Sequence, residues 1–136
     1  MYSLLKSFGF QPTMIAPSDP HNLYFLKKKM KYKEIKSNFS EIKEDDYDIL
    51  MVNSDQTWRY NFKYLLDIGF LNFAKNWSIP KFTYGVSLAL DSWNVSKTFL
   101  NKAKLLVKKF SGISVREQNS VKIIKNNLGI EPIFVI

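Results

Sequence analysis

The stretch YDILMVNSDQTWRY, Tyr47 to Tyr60, begins as a run that belongs in a core and ends in hydrogen-bonding groups. Tyr47, Ile49, Leu50, Met51 and Val52 are apolar with little alternation, the pattern of a strand covered on both faces. A central parallel strand is therefore expected, with Ser54, Asp55, Gln56 and Trp58 at its tip. Two later segments repeat the design. Pro80 opens KFTYGVSL, where β-branched and aromatic residues lead to the small polar Ser87, and Ile113 to Val115 form a short strand running into Arg116 and Glu117.

Helical patterns alternate with these strands. In SKTFLNKAKLLVKKF, Phe99, Ala103, Leu106 and Phe110 recur at near-helical spacing and Leu100 and Val107 widen the stripe. Lys97, Lys102, Lys104, Lys108 and Lys109 take the rest of the surface and read most simply as a solvent face, and Gly112 ends the segment. A second helix begins at Glu117 and aligns Val121, Ile124 and Leu128; Gly129 supplies its stop, with Ile130 placed for the hydrophobic contact that accompanies such caps. PIFVI is a last strand. This alternation builds an α/β fold, a parallel sheet with helices on both faces. In such sheets ligands settle outside the carboxyl ends of the strands. Ser54, Asp55, Gln56, Trp58, Ser87, Ser114, Arg116 and Glu117 then gather along one edge.

That edge has the chemistry to grip a sugar. Asp, Gln and Glu share or accept hydroxyl hydrogen bonds, Trp58 offers a flat face to a pyranose, and Arg116 can pair with a phosphate or carboxylate. Each residue also has a structural use: a turn cap for Asp55, a loop bond for Gln56, packing for Trp58, an ion pair for Arg116 and Glu117, and backbone bonds for Ser87 and Ser114.

The N-terminal third is plainer. MYSLLKSFG reads as helix turns with Leu4, Leu5 and Phe8 on one face and Gly9 as stop, Phe10 to Ile15 can begin a strand, and Pro17 and Pro20 mark a loop. Leu23 to about Ile35 is expected to be helical, with Leu23, Leu26 and Met30 as its apolar line. The aromatic-rich region from Phe62 to Trp77 does not divide into helix and loop by pattern. His21, the single histidine, sits in a Pro-flanked loop and reads as exposed rather than catalytic.

Composition narrows the class. A chain of 136 residues suits one domain with one core, and hides roughly two-thirds of its unfolded surface. The net charge of +8 is nearly all lysine, with Arg59 and Arg116 the only arginines, whereas nucleic-acid recognition leans on the arginine fork. No nucleic-acid partner is expected. The absence of cysteine excludes disulfides and thiolate metal sites, no metal spacing or Gly-rich phosphate loop is present, and no window has the length of a membrane span. With no export signal, a cytoplasmic location is expected.

In order along the chain, YDILMVNSDQTW, IPKFTYGVSLA and FSGISVREQNSVKIIKNNLGIEPIFVI resemble the polysaccharide pyruvyl transferase family. There an apolar strand leads into Gly-Ser-Asp-Gln-x-Trp, a later strand reads roughly Tyr-Ala-x-Ser-Phe-Gly, and a third reads Ser-Val-Arg-Glu. The similarity runs from about Tyr47 to the C-terminus, and LLKSFGFQPTMI resembles the end of the family's first helix and its second strand. Asn53 stands where the family has Gly, and Ala89 replaces the Gly of Ser-Phe-Gly.

The resemblance implies a Rossmann-like half of a two-domain, glycosyltransferase-B-like architecture, with much of the phosphoenolpyruvate pocket in the other half. Residues 1–136 are then a single, incomplete N-terminal α/β domain, a fragment expected to be inactive without a separately encoded C-terminal half. The implied reaction passes pyruvate from phosphoenolpyruvate, a co-substrate, to two hydroxyls of a sugar or glycan acceptor as a ketal, in cell-surface polysaccharide biosynthesis. No cofactor is implied. Asp55 is the candidate catalytic base, with Ser54, Gln56, Trp58, Ser87, Ser114, Arg116 and Glu117 as substrate contacts. Two other readings stand beside it, a non-catalytic sugar- or nucleotide-binding remnant and a basic adaptor for nucleic acid or anionic membrane. An edge left open by missing strands makes self-association a further expectation.

Overall fold

A computed structural model describes residues 1–17, 32–35, 39–53, 57–59 and 65–135. The chain divides into two compact units, residues 1–42 and 43–136. In the first, helix α1 (Tyr2–Ser7) ends where Gly9 turns the chain at φ +85°. Its apolar side is not a core face, since Leu4 and Phe8 are exposed and no residue of α1 is buried. Strands β1 (Met14–Pro17) and β2 (Tyr32–Ile35) pair in parallel, Met14 opposite Tyr32 and Pro17 opposite Ile35. The helix expected to reach Ile35 is thus a strand over its last four residues; its earlier part lies outside the described residues. Edge pairing with β1 outweighs helix propensity in this lysine-rich run, a tertiary contact overriding a weak local preference.

The second unit holds β3 (Leu50–Val52), β4 (Lys81–Thr83), α2 (Lys97–Val107), β5 (Ser114–Val115), α3 (Gln118–Leu128) and β6 (Ile133–Phe134). Strand β4 pairs in parallel with β3, Leu50 opposite Lys81, and β6 pairs in parallel with β5. Isolated parallel bridges, Phe82 to Gly112 and Val86 to Val115, join the two pairs. The strands therefore follow one another across the unit in chain order, each parallel to the next. Parallel neighbours need a crossover, and α2 and α3 supply it between β4 and β5 and between β5 and β6.

Each helix forms for a visible reason. Ser96 caps α2, its Oγ accepting the Phe99 amide at 3.2 Å, and the expected stripe buries Ala103, Leu106 and Val107. Helix α3 buries Ile123, Ile124 and Leu128 and stops at Gly129, whose φ of +72° a residue with a β-carbon adopts at a cost. Ile130 packs against the core as anticipated. The core lies between these helices and the strands, and an aromatic cluster extends it: Trp58 stacks on Phe70 at 4.6 Å between centroids, while Trp93 and Phe99 meet edge to face at 5.7 Å.

From Leu65 on, where the aromatic region that resisted division is described, it forms short turns, a π-type turn at Leu65–Gly69 and a 3₁₀ turn at Asn72–Ala74. One expectation needs correction. Strand β3 is not covered on both faces: Leu50 and Val52 are buried, but Met51 and the preceding Ile49 are exposed. Apolar residues without alternation do not by themselves bury a second face, because a face is buried only where another element covers it.

Candidate functional site

The carboxyl ends of β3, β4 and β5 are tied together through hydrogen bonds that begin with Trp58. Its backbone amide, in the loop after β3, donates to Ser87 O at 3.2 Å, in the loop after β4. Ser87 Oγ donates to Glu117 Oε1 at 2.7 Å, and Ser120 Oγ to Glu117 Oε2 at 2.9 Å. Both oxygens of one carboxylate thus hold the loop after β4 against the start of α3. Asn119 extends the grip, its Nδ2 donating to Leu90 O at 3.0 Å and Asp91 Oδ1 at 3.2 Å. Loop and first helical turn form one braced rim.

Glu117 sits at the N-cap of α3, where the unpaired amides of a helix start favour negative charge. Burial alone would raise its pKa. The hydroxyls of Ser87 and Ser120, the backbone amide of Ala89 and the Arg116 guanidinium outweigh that and hold the carboxyl below its ordinary value. Arg116 Nε stands 3.7 Å from Glu117 Oε1, and both side chains remain partly open to solvent. Ala89, which presents its amide to Glu117, does so with φ +52°, a left-handed conformation that costs a residue with a β-carbon about 1–2 kcal/mol.

The other residues expected on the rim fall into two groups. Ser54, Asp55 and Gln56 lie outside the described residues, as does His21. Trp58, Ser87 and Ser114 are described and buried. The indole of Trp58 stacks on Phe70, meets the edge of Phe110 and donates its Nε1–H to Gly69 O at 2.7 Å, so no ring face is open to a sugar. Gly69 permits this approach, since a β-carbon there would meet Leu65 Cδ1 at 2.9 Å and Thr57 O at 3.0 Å.

Ser114 is spent on the fold. Its amide donates to Thr83 Oγ1 at 2.8 Å, its hydroxyl to Thr83 O at 3.0 Å, and Thr83 Oγ1 donates to Ser114 O at 3.0 Å. Gly85 N adds a further bond to Ser114 Oγ at 3.1 Å. This side-chain lattice stitches β4 to β5, which are otherwise joined by single bridges and not by a regular ladder. Of the described residues that the sequence pointed to at this edge, Trp58, Ser87 and Ser114 are buried, while Arg116 and Glu117 keep exposed side-chain surface.

Ser120, Asn119 and Ala89 were missed in the sequence. A signal for Ser120 was available: it stands three residues after Glu117 at a helix start, the spacing at which N-cap and N3 side chains reach each other. Among the described residues, no group of three or more His, Cys, Asp or Glu is arranged to hold a metal ion, and no helix is long and apolar enough to cross a membrane. Comparison with curated proteins finds no match, and neither does comparison with solved structures. A family model described as polysaccharide pyruvyl transferase matches residues 3–136.

Proposed function

The chain belongs to the polysaccharide pyruvyl transferase family, and from that premise we propose that it takes part in moving pyruvate from phosphoenolpyruvate to a sugar acceptor, with the carboxyl edge of β3, β4 and β5 as the acceptor side. In this reading one sugar hydroxyl adds to the enol carbon bearing phosphate while the terminal methylene takes a proton and becomes a methyl group. A second hydroxyl then displaces phosphate from the same carbon, closing a ketal. The addition needs an acid, the hydroxyls need bases, and the phosphate and carboxylate need positive partners.

The observation that carries the proposal is the hydrogen-bonded continuity of the three strand tips, Trp58 to Ser87 to Glu117, at the edge where parallel sheets place their ligands. Trp58, Ser87, Ser114 and Glu117 serve in it as the frame. Arg116 meets an anionic group of the substrate, while Ser54, Asp55 and Gln56, which stand in the sequence between the described Asn53 and Thr57, meet acceptor hydroxyls, with Asp55 as base. The reading takes the parallel strands as a Rossmann-like half of a glycosyltransferase-B-like pair of domains, and assigns the remaining phosphoenolpyruvate contacts to the other half.

Phosphate release from phosphoenolpyruvate, assayed over a panel of sugar acceptors with the chain alone and mixed with a second α/β half as a separate polypeptide, tests this. Acceptor-dependent release that Asp55→Ala abolishes and Arg116→Ala weakens is the expected result. Release indifferent to both substitutions, or none in either mixture, would overturn it.

A further inference from the structure

Helix α2 carries a feature that its own packing does not use. Its buried face is formed by Ala103, Leu106 and Val107, with Phe99 and Leu100 beside them. Leu105 lies on the opposite side and is 68% exposed, one of the most exposed large apolar side chains described. On a helix the neighbours of Leu105 are the residues three and four positions away, and Asn101 and Lys102 stand there on its N-terminal side, while Lys108, the C-cap, and Lys109, in the turn that follows, continue the exposed lysines just past the helix end. Lys104 is adjacent and also exposed. A leucine thus stands at the centre of a lysine field, where it adds nothing to the core and loses favourable burial. From Ser92 to Val115 the sequence contains no Asp or Glu, so no acidic residue within this segment neutralises the field.

We propose that this face of α2, with the turn that follows it, is a docking surface for an anionic lipid membrane, with Leu105 entering the headgroup boundary and Lys102, Lys104, Lys108 and Lys109 lying against lipid phosphates. Two weak signals acting together are what stable peripheral attachment requires, since one apolar anchor or a few surface charges alone bind only marginally. The composition of the face favours lipid over nucleic acid. Its cations are all lysine, with no arginine fork to read phosphate or base geometry, and its central residue is aliphatic, whereas single-stranded nucleic acid is held by aromatic stacking. The proposal goes beyond the transferase reading and does not depend on it.

The test is co-sedimentation of the full chain with vesicles of phosphatidylcholine alone and of phosphatidylcholine mixed with phosphatidylglycerol, at low salt and at physiological ionic strength, where charges are screened beyond about 8 Å. Binding to the mixed vesicles only, weakened by salt, is expected. Lys104→Gln and Lys108→Gln should each lower partitioning about five-fold at low salt. Leu105→Ser should lower it by about ten-fold. All three positions are exposed, and circular dichroism checks that the variants keep their helices.

Failure to bind the mixed vesicles at low salt overturns the proposal. So does binding that the lysine variants weaken but Leu105→Ser leaves intact, because the leucine would then have no part in it. Binding to duplex or single-stranded DNA stronger than to the mixed vesicles, and reduced by the same lysine variants, would reassign the face to nucleic acid.

Discussion

Two carboxylates hold opposite ends of the second unit's strands, and they do so differently. At the amino end of β4, Glu44 Oε1 accepts the Ser78 amide, the Ser78 hydroxyl at 2.8 Å and the Ile79 amide at 3.2 Å, pinning the turn that leads into the strand. Beside it the buried Lys81 gives its Nζ protons to Trp77 O at 2.6 Å and Ile79 O at 3.2 Å. At the carboxyl end, Glu117 binds hydroxyls from Ser87 and Ser120 and the Ala89 amide, and reaches Arg116. Both carboxyls are held below the ordinary value. For Glu44 the hydroxyl of Ser78 is the main cause, whereas Glu117 must first overcome burial. The amino-end latch secures one local turn in open solvent. The carboxyl-end brace spans a loop and a helix start and leaves a cation at the rim, an arrangement suited to positioning.

The strongest way to break the carboxyl end is to remove what anchors it. Trp58→Ala should cost about 3–5 kcal/mol, because a large side chain without solvent exposure leaves a cavity among Phe70, Phe110 and Gly69; urea denaturation reads this directly. Glu117→Ala comes next. It strands the buried hydroxyls of Ser87 and Ser120, and a loss of about 1–3 kcal/mol is expected, with Glu117→Gln losing less. Glu44→Ala, on an exposed carboxylate, should lose clearly less than Glu117→Ala. Equal losses would erase the distinction between latch and brace.

Ala89→Gly sharpens the comparison from the other side. It relieves the left-handed strain while keeping the amide that faces Glu117, and a gain of up to about 1 kcal/mol is expected. The smallest effect is on pH dependence. Because the folded pKa of Glu117 is depressed, its contribution is present above the unfolded carboxyl value of 4.5 and is lost as pH falls through the lower, folded value. Stability measured from neutral to acidic pH should therefore fall less steeply below 4.5 in Glu117→Gln than in the parent chain, a difference absent above that range.

What the sequence disclosed and what it hid follow one physical rule. Local signals were legible: Phe99, Ala103 and Leu106 at helical spacing, and Gly129 with Ile130 after α3, all describe contacts within a few residues. The three strand tips were legible as places, but the use of their residues was not. Ser114 and Trp58 are hydrogen-bonding types whose partners, Thr83 and Gly69, lie well away along the chain, and only the fold shows that they are already engaged. Met51 was misjudged because coverage of a face depends on other elements, and β2 because its pairing with β1 is non-local.

The central claim is that ligands meet this protein at the braced carboxyl edge and not at the latched amino edge. Amide resonances of the ¹⁵N-labelled chain, followed while phosphoenolpyruvate and then pyranose acceptors are added, test it most directly, since binding is read without requiring turnover. The account predicts shifts concentrated at Asn53 to Trp58, Ser87 to Ala89 and Arg116 to Ser120, and weakened by Arg116→Ala. Shifts centred on Glu44 to Tyr47 and Trp77 to Lys81, or none with either class of ligand, would contradict it.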